Sequence, residues 1–257
     1  MASNTSIEII KKISGIMDIL LNTEEDLGVR ELSRLCDIPK STVGRILSSL
    51  EEEGWVCQSE DTKKYRIGLK MLNYANRWRL DLELVKQSSG YMENLVKATR
   101  QTAILTVYDK KLGGRCINKL ESDSTIKLVS SIGKPIPLHA GATGKMILAY
   151  LPENIKKDIS EGPLSKFTPN TIIDPIALEK ELDDIRKKGY ATSVEEIDPG
   201  ASAIGAPIFD EKGGLVAGLS IAGPKYDFDG RFDELVPIVV ETAREISDKL
   251  KNCKRRD

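Results

Sequence analysis

The sequence predicts an α+β protein with a winged helix-turn-helix domain at its N-terminus and a larger, sheet-containing domain after it. Three observations carry this prediction: a two-faced helix at residues 37–50, two strand-like runs directly after it, and strand-like runs flanked by helices beyond residue 102. Strands and helices that do not alternate strictly favour an α+β sheet domain. At 257 residues the chain is long enough for two domains, at roughly 100–200 residues each.

Residues 37–50 have the pattern of a helix with one buried and one exposed face. Apolar residues fall at i, i+3, i+4 and i+7, namely Val43, Ile46, Leu47 and Leu50. The opposite face carries short or forked hydrogen-bonding side chains, namely Ser41, Thr42, Arg45, Ser48 and Ser49. Side chains of these types contact base edges and phosphates in a DNA major groove. Taken alone, the pattern is equally typical of an ordinary amphipathic helix with a small polar face.

The residues before this helix predict two further helices and a turn. Apolar residues at helical spacing over 7–21 predict the first helix, and residues 28–36 predict a shorter second one. Asp37 and Ile38 make a tight turn into the third helix, where Pro39 suits the first turn because its missing N–H costs nothing there. Two short helices joined this closely predict a helix-turn-helix, whose second helix enters the groove.

Two strand-like runs follow Gly54, a residue type that commonly ends helices. Residues 55–58 and 64–67 flank a polar tip and predict a β-hairpin, which is the wing of a winged helix-turn-helix. Cations on this wing are expected to contact phosphates, which supply affinity but no sequence choice. The candidate DNA-binding residues are therefore Arg30, Lys40, Ser41, Thr42, Arg45, Ser48, Ser49, Lys63, Lys64 and Arg66.

The N-terminal region is not basic as a whole. Residues 1–80 hold twelve Lys or Arg and twelve Asp or Glu, so the usual charge signature of a DNA-binding domain is weak. The cations concentrate on the third helix, the wing and the residues just beyond, whereas three acids at 51–53 occupy the far end of that helix. We therefore expect a local basic surface.

The composition argues against several other classes. The net charge of −1 gives no general attraction to nucleic acid or membrane. No stretch approaches the ~18 apolar residues of a membrane span, and the N-terminus lacks a signal-peptide core, so a soluble, cytoplasmic protein without a membrane partner is expected. Four dispersed cysteines and a single histidine, His139, argue against a zinc site, and we expect no metal and no cofactor.

The rest of the chain predicts a connecting helix and a second domain. The expected boundaries are a winged helix-turn-helix at 1–68, a linker helix at 69–82 and the second domain at 83–257. Strands are predicted at 103–108, 115–120, 126–130, 191–196, 203–209 and 215–222. Helices are predicted at 82–99, 144–150, 152–159, 176–188 and 232–251.

Sequence blocks in both halves of the chain follow one known pattern. They are PKSTV at 39–43, LEEEG at 50–54, YRIG at 65–68, GKPIPLHAGATGKMILA at 133–149, the two Glu at 195–196 ahead of Gly200, APIFD at 206–210 and LSIAGP at 219–224. In this order and at this spacing, they resemble the IclR family of bacterial transcriptional regulators over residues 6–249. The resemblance implies a C-terminal GAF-like α/β effector-binding domain, and a homodimer or homotetramer on a palindromic, double-stranded DNA operator. Repression is the commoner mode of that family.

The block around His139 predicts a ligand site. Small residues at 140–144 lead into an apolar helix, and the backbone N–H groups at a helix start bind anions, while Gly144 allows close approach. We expect Ala142 and Thr143 to offer N–H groups to the carboxylate, or a similar head, of a small anionic metabolite. The alternative is a simple strand-to-helix turn packed with small residues. His139 is expected to be structural rather than a titrating switch.

The resemblance implies further pocket residues. Leu128 and Ile136 match apolar wall positions, and Ser220 matches a hydrogen-bonding serine. Ser193, Ala203 and Ala222 stand where the best-known pattern has Asp, Cys and a second Ser. Fewer buried donors favour a ligand with fewer polar groups around its acid head, so neither glyoxylate nor pyruvate is assigned.

Two other functions stay open on the sequence. The second domain could serve oligomerisation only, which the three departures from the family pattern allow. An enzyme would need His139 as its base, and no GxSxG, P-loop or GxGxxG motif occurs in a suitable context. We therefore expect no catalytic residues.

Overall fold

The computed structural model of the chain describes residues 2–23, 25–81, 83–122 and 131–253. It divides into two compact units, Met1–Asp81 and Leu82–Asp257, and the first unit includes the helix predicted as a linker. Within the described ranges, no helix is both long and apolar enough to cross a lipid bilayer. No group of three or more His, Cys, Asp or Glu side chains in those ranges is placed to hold a metal ion.

The first unit is the predicted winged helix-turn-helix. Its elements are α1 (Ala2–Asn22), α2 (Val29–Cys36), α3 (Lys40–Glu52), β1 (Val56–Gln58), β2 (Tyr65–Ile67) and α4 (Lys70–Asp81). Strands β1 and β2 are antiparallel, with Cys57 opposite Arg66. The hairpin follows α3 directly, as expected of a wing.

Local contacts fix the turn between α2 and α3. Asp37 ends α2 in the left-handed conformation, with a φ of 52°, which Asp tolerates better than most other side chains do. The hydroxyl of Ser33 donates a hydrogen bond of 2.6 Å to the carbonyl of Ile38 across this turn. The chain therefore reverses within a few residues, and α3 begins at Lys40 after Pro39.

The core of the first unit is built by the apolar faces of α1, α2 and α3. The predicted buried face of α3 is confirmed, since Val43, Ile46, Leu47 and Leu50 all lie in this core. Their partners are Ile16, Met17 and Leu20 of α1, Leu27 just before α2, Leu32 within α2, and Val56 and Tyr65 of the hairpin. Packing on one face leaves the other face of α3 in solvent.

The second unit is an antiparallel sheet with helices on both faces, which confirms the predicted GAF-like arrangement. Its elements are α5 (Glu83–Thr99), β3 (Thr102–Asp109), β4 (Gly113–Leu120), β5 (Pro135–Ile136), α6 (Ala142–Tyr150), α7 (Glu153–Ser160), α8 (Pro175–Lys188), β6 (Ala191–Val194), β7 (Ala201–Phe209), β8 (Leu215–Pro224) and α9 (Phe232–Cys253). The strand order is β5-β4-β3-β8-β7-β6.

Several predicted strands and helices differ from the structure in their bounds; for example, β7 begins at Ala201 rather than at residue 203, and β8 ends at Pro224 rather than at residue 222. The strand predicted at 191–196 ends at Val194, because Glu195 takes a left-handed φ of 54°. The helix predicted to begin at Gly144 begins at Ala142, and the two-residue strand β5 was not predicted. The strand predicted at 126–130 lies outside the described residues.

Alternation along the strands separates the two faces of the sheet. One face packs on α5 and α9 through residues such as Leu105, Leu219 and Ile221. The other face lies under α6, whose Met146 and Ile147 form a second core with α8. The ligand cavity described below lies on the α6 side.

Candidate nucleic-acid interface and ligand cavity

The polar face of α3 is open to solvent, as the sequence predicts. Its exposed side chains are Ser41, Arg45, Ser48 and Ser49, and Thr42 is half-buried. No acidic side chain in the described part of the chain forms an ion pair with Arg45. The guanidinium is therefore free to form hydrogen bonds with a ligand.

The predicted wing cations differ in their surroundings. Lys63 occupies the hairpin tip with a left-handed φ of 55° and is exposed. Lys64 is half-buried, and its Nζ lies 3.9 Å from a carboxylate oxygen of Glu31. Arg66 is exposed and donates through Nε to the sulfur of Cys57 at 3.3 Å, a contact that raises the pKa of Arg66.

The remaining predicted DNA-binding residues lie at helix starts. Arg30 is in the first turn of α2, Lys40 is the first residue of α3, and both are exposed. The structure thus places all ten candidates on α2, α3 and the wing, and their contact with DNA stays a prediction.

Two of the acids at the end of α3, Glu51 and Glu53, have partners outside its polar face. Glu53 forms a salt bridge of 3.0 Å with Lys70 of α4, and this contact raises the pKa of Lys70. Glu51 accepts a hydrogen bond of 3.1 Å from the backbone amide of Gln58. These acids lie at the opposite end of α3 from Lys40 and Ser41, so the start of the helix keeps its positive character.

A cavity of about 410 Å³ opens on the α6 side of the sheet in the second unit. Its floor is formed by strand residues, namely Ile104 and Thr106 of β3, Ser220 and Ala222 of β8, Ala203 of β7 and Ser193 of β6. Its walls are residues 134–137, residues 140–144 at the start of α6, Phe167, residues 196–198, and residues 201–202. It is large enough for a small metabolite.

Most of the residues predicted for effector binding border this one cavity. They are Ile136, Ala142, Thr143, Ser193, Ala203, Ser220 and Ala222. Leu128, the remaining member of the predicted set, lies outside the described residues. The chain brings these residues together from β5, α6, β6, β7 and β8.

The start of α6 borders the cavity with Gly141, Ala142 and Thr143. The first amides of a helix have no acceptor within the helix itself. The amide of Gly141, just before the helix, donates a hydrogen bond of 2.9 Å to the carboxylate of Glu196. Among the described residues, no group accepts a hydrogen bond from the amides of Ala142 and Thr143. These two amides are the ones that the sequence singled out for an anion.

Gly144 serves packing within the chain. A Cβ atom at this position would lie only 2.0 Å from the carbonyl oxygen of Pro137. The close approach expected at Gly144 is therefore made by the preceding backbone rather than by a ligand. Gly205 of β7 similarly lies against Ala142, so the helix start sits directly on the sheet.

A buried ion pair beside the cavity was not predicted from the sequence. Lys145 is 2% exposed, and its Nζ lies 2.6 Å from Glu196 and 2.7 Å from Glu181. A buried charge is tolerated only when it is paired. Glu196 therefore joins α6 to the cavity wall, through Lys145 and through the Gly141 amide.

Besides Ser193, the floor carries two buried residues with hydroxyl groups, of which only one was identified from the sequence as a site residue. Ser220 was predicted, whereas Thr106 was recognised only as a strand residue. Each is 1% exposed, and neither hydroxyl has a hydrogen-bond partner among the described residues. Because side chains alternate along a strand, Thr106 could have been predicted to lie on the same face of the sheet as Ile104. Nothing in the sequence indicated, however, that a cavity lies on that face.

His139 has the surroundings of a structural residue, in line with the prediction. Its Nε2 donates a hydrogen bond of 2.8 Å to the carbonyl of Ser165, since a carbonyl oxygen can only accept. Its ring stacks on Phe167 at 5.7 Å between centroids. Phe167 in turn borders the cavity, so His139 supports one of the walls.

Comparisons with known proteins agree with both units. The model of the IclR helix-turn-helix domain matches residues 10–60, and the model of the bacterial transcriptional regulator IclR C-terminal domain matches residues 80–248. The chain is 32% identical over 247 residues to the HTH-type transcriptional regulator KdgR of Escherichia coli strain K12, covering 95% of this chain and 93% of that protein.

Two further similar proteins are a transcriptional repressor and a homolog solved with a bound small molecule. The chain is 30% identical to the HTH-type transcriptional repressor AllR of Klebsiella pneumoniae, covering 91% of this chain and 87% of that protein. An IclR homolog from Microbacterium hydrocarbonoxydans, solved in complex with 4-hydroxybenzoate, superposes with a TM-score of 0.82 at 23% identity, covering 94% of this chain and 98% of that one. At that identity, the second likeness concerns the fold alone.

Proposed function

The chain belongs to the IclR family of bacterial transcriptional regulators, and on this premise we propose that it represses transcription from a palindromic operator under the control of a small organic acid. The regulator acts as a homodimer or homotetramer in the cytoplasm, where bacterial DNA lies. The relatives named above are transcriptional regulators, so the chain is a regulator rather than an enzyme.

The DNA-binding part of the proposal is supported by the exposed polar face of α3. Arg45 projects from the middle of this helix, and an arginine can form two hydrogen bonds with one guanine edge. The wing cations at 63–66 supply phosphate contacts. In a two-fold symmetric dimer the two α3 helices contact half-sites about 34 Å apart, or a multiple of that distance.

One observation carries the sensing part of the proposal. A single cavity is bordered by Ala142 and Thr143, whose amides are open, and by buried hydroxyls that have no hydrogen-bond partner among the described residues. Helix-start amides favour an anion, and hydroxyls favour a polar ligand. A turn that serves packing alone would not require either group to face a cavity.

The experiment is a reciprocal binding measurement on the full chain. A panel of small organic acids is screened by thermal shift, because binding to the native state raises the melting temperature. Any acid that binds is then added during titration of labelled operator DNA. Since coupling between two sites is reciprocal, the factor by which the acid changes DNA affinity must equal the factor by which DNA changes acid affinity.

The second candidate function is that the second unit serves assembly only, and the same experiment distinguishes it from sensing. Ala203 and Ala222 supply no polar group to the cavity floor, which agrees with a second unit used for assembly only. In that case no acid in the panel raises the melting temperature, and operator affinity is the same with and without each acid.

A further inference from the structure

Two buried hydroxyls lie side by side on neighbouring strands of the second unit. Strand β3 pairs with β8, with Ile104 opposite Ser220 and Thr106 opposite Gly218. Because side chains alternate along a strand, Thr106 and Ser220 point to the same face. Both residues border the cavity. We call them the hydroxyl pair.

The hydroxyl pair differs from the other buried hydroxyls of this unit. Thr99 donates to the carbonyl of Leu95 at 2.7 Å, and Ser247 donates to the carbonyl of Ala243 at 2.8 Å. The oxygens of Thr106 and Ser220, in contrast, form no hydrogen bond with any described residue. Buried polar atoms are nearly always satisfied in native proteins. Since both residues border the cavity, a ligand there is the candidate partner for these two oxygens.

Two other buried side-chain oxygens, which also lack a partner in the described part of the chain, are placed differently. Gln101 Oε1 lies beside Gly223, and Ser202 is opposite Gly223 in the β7–β8 register. Alternation puts both beside the α9 face, although part of Ser202 also borders the cavity. Among the residues that the structure describes, the hydroxyl pair alone combines a fully buried hydroxyl oxygen that lacks a partner with a position on the cavity floor.

The hydroxyl pair lies directly below the start of α6. A Cβ atom at Gly218, opposite Thr106, would be 3.1 Å from Cγ2 of Thr143. A Cβ atom at Gly205, opposite Ser220, would be 3.2 Å from the carbonyl carbon of Ala142. The start of α6 and the hydroxyl pair therefore border the same part of the cavity.

We propose that the hydroxyl pair selects an effector that carries a hydroxyl or carbonyl oxygen in addition to its carboxylate. This inference rests on the proposed function, which puts the effector in this cavity. Backbone amides only donate hydrogen bonds and suit the carboxylate, whereas hydroxyls donate and accept and suit the additional oxygen. The inference replaces the expectation of a ligand with few polar groups, which considered Ala203 and Ala222 but not Thr106.

Selection follows from the free-energy cost of leaving the hydroxyl pair buried without a hydrogen-bond partner. A purely hydrocarbon acid would cover Thr106 and Ser220 and leave their oxygens unsatisfied. Sites built to hydrogen-bond a ligand group discriminate strongly against analogues that lack it. Thr106 is thus a specificity-determining residue on β3, a strand that contributes none of the positions implied by the family pattern.

The test compares matched acids on the full chain by isothermal titration calorimetry. The pairs are D-gluconate with hexanoate, lactate with propionate, and 4-hydroxybenzoate with benzoate, which differ within each pair only in hydroxyl groups. We expect the hydroxylated acid of at least one pair to bind about tenfold or more tightly than its partner. In Thr106→Val, which keeps the side-chain shape, that ratio should fall toward one.

Controls separate specificity from folding. Unliganded Thr106→Val should melt at or above the wild-type temperature, because the Thr106 hydroxyl forms no hydrogen bond with any residue that the structure describes. Thr242→Val removes a buried hydroxyl of α9 that donates to Ile238 at 2.7 Å, outside the cavity, and should leave both affinities unchanged. Ser220→Ala provides a second removal within the hydroxyl pair.

The outcomes distinguish this inference from the proposed function. Equal or tighter binding of the hydrocarbon acid in every pair overturns the selection by the hydroxyl pair and leaves the sensing function standing. If both Thr106→Val and Ser220→Ala still prefer the hydroxylated acid, selection by the hydroxyl pair is likewise overturned and the sensing function stands. Failure of all six acids to bind overturns the inference together with the sensing function.

Discussion

The ammonium of Lys145 lies 2.6 Å from a carboxylate oxygen of Glu196, and both side chains are buried. The other carboxylate oxygen of Glu196 accepts the hydrogen bond from the amide of Gly141. Glu196 therefore occupies one amide at the start of α6, while Lys145 offsets part of its charge. Because Lys145 also pairs with Glu181 at 2.7 Å, the ion pair reduces but does not cancel the repulsion of an anionic ligand at the next two amides.

Replacing Lys145 by Met is expected to destabilise the second unit strongly. The change leaves Glu196 buried without its cation, and breaking a buried pair in this way costs about 3–5 kcal/mol. Glu196→Gln should cost less, since Lys145 keeps Glu181 at 2.7 Å and the new amide oxygen can still accept from Gly141. Urea denaturation of the full chain measures both values.

The exposed pair of Lys157 and Glu161, at 3.7 Å, supplies the control for this prediction. Lys157→Met should change the free energy of unfolding by no more than about 1 kcal/mol, because exposed pairs contribute little. A similar cost for Lys145→Met and Lys157→Met would show that the buried pair does not stabilise the start of α6.

Arg45→Ala is expected to reduce the preference for the operator over unrelated DNA strongly. Its guanidinium is exposed on α3 and has no ion-pair partner in the described ranges, and loss of one base contact costs about 1–3 kcal/mol of discrimination. Competition binding with operator and scrambled duplexes measures the preference. Arg186→Ala, which removes an exposed arginine from the second unit, should leave it unchanged. An unaltered preference in Arg45→Ala would mean that α3 is not the base-contacting helix.

Lys63→Ala is expected to weaken binding to every DNA sequence alike. A phosphate contact carries no sequence information, and its loss should reduce the slope of log affinity against log salt by about 1. Lys64→Ala should have a smaller effect on that slope, because Lys64 is half-buried and lies 3.9 Å from Glu31. Salt titrations with operator and scrambled DNA test both variants. A change in sequence preference in Lys63→Ala would contradict the assignment to phosphate.

The sequence predicted the elements whose residues repeat with a clear period. The buried face of α3 follows from the spacing of Val43, Ile46, Leu47 and Leu50, because one helix face packs on one core. The strand β6 was predicted two residues too long, since the left-handed turn at Glu195 leaves no periodic signal. The two-residue strand β5 was missed because it is too short to show a period and depends on pairing with β4.

The parts of the candidate site that come from neighbouring residues in the sequence were predictable. Ala142 and Thr143 follow from one helix start, and the family resemblance added Ser220. The pairing of Lys145 with Glu196 joins residues 51 positions apart, and charged residues of a soluble chain are ordinarily exposed. The neighbouring position of Thr106 and Ser220 depends on the register of β3 with β8, which no local pattern determines.

Gly144→Ala is the substitution that tests how tightly the start of α6 is built. The new Cβ atom would lie 2.0 Å from the carbonyl oxygen of Pro137, so either the helix start or the preceding backbone must shift. Alanine normally stabilises a helix by about 1 kcal/mol relative to glycine. We expect the reverse here, with a lower melting temperature and weaker binding of any acid found in the panel. Gly90→Ala in α5, where nothing lies within 4 Å of the added atom, should stabilise the chain slightly and leave acid binding unchanged. If both variants behave alike, the start of α6 is adaptable, and the amides of Ala142 and Thr143 are not held in place for an anion.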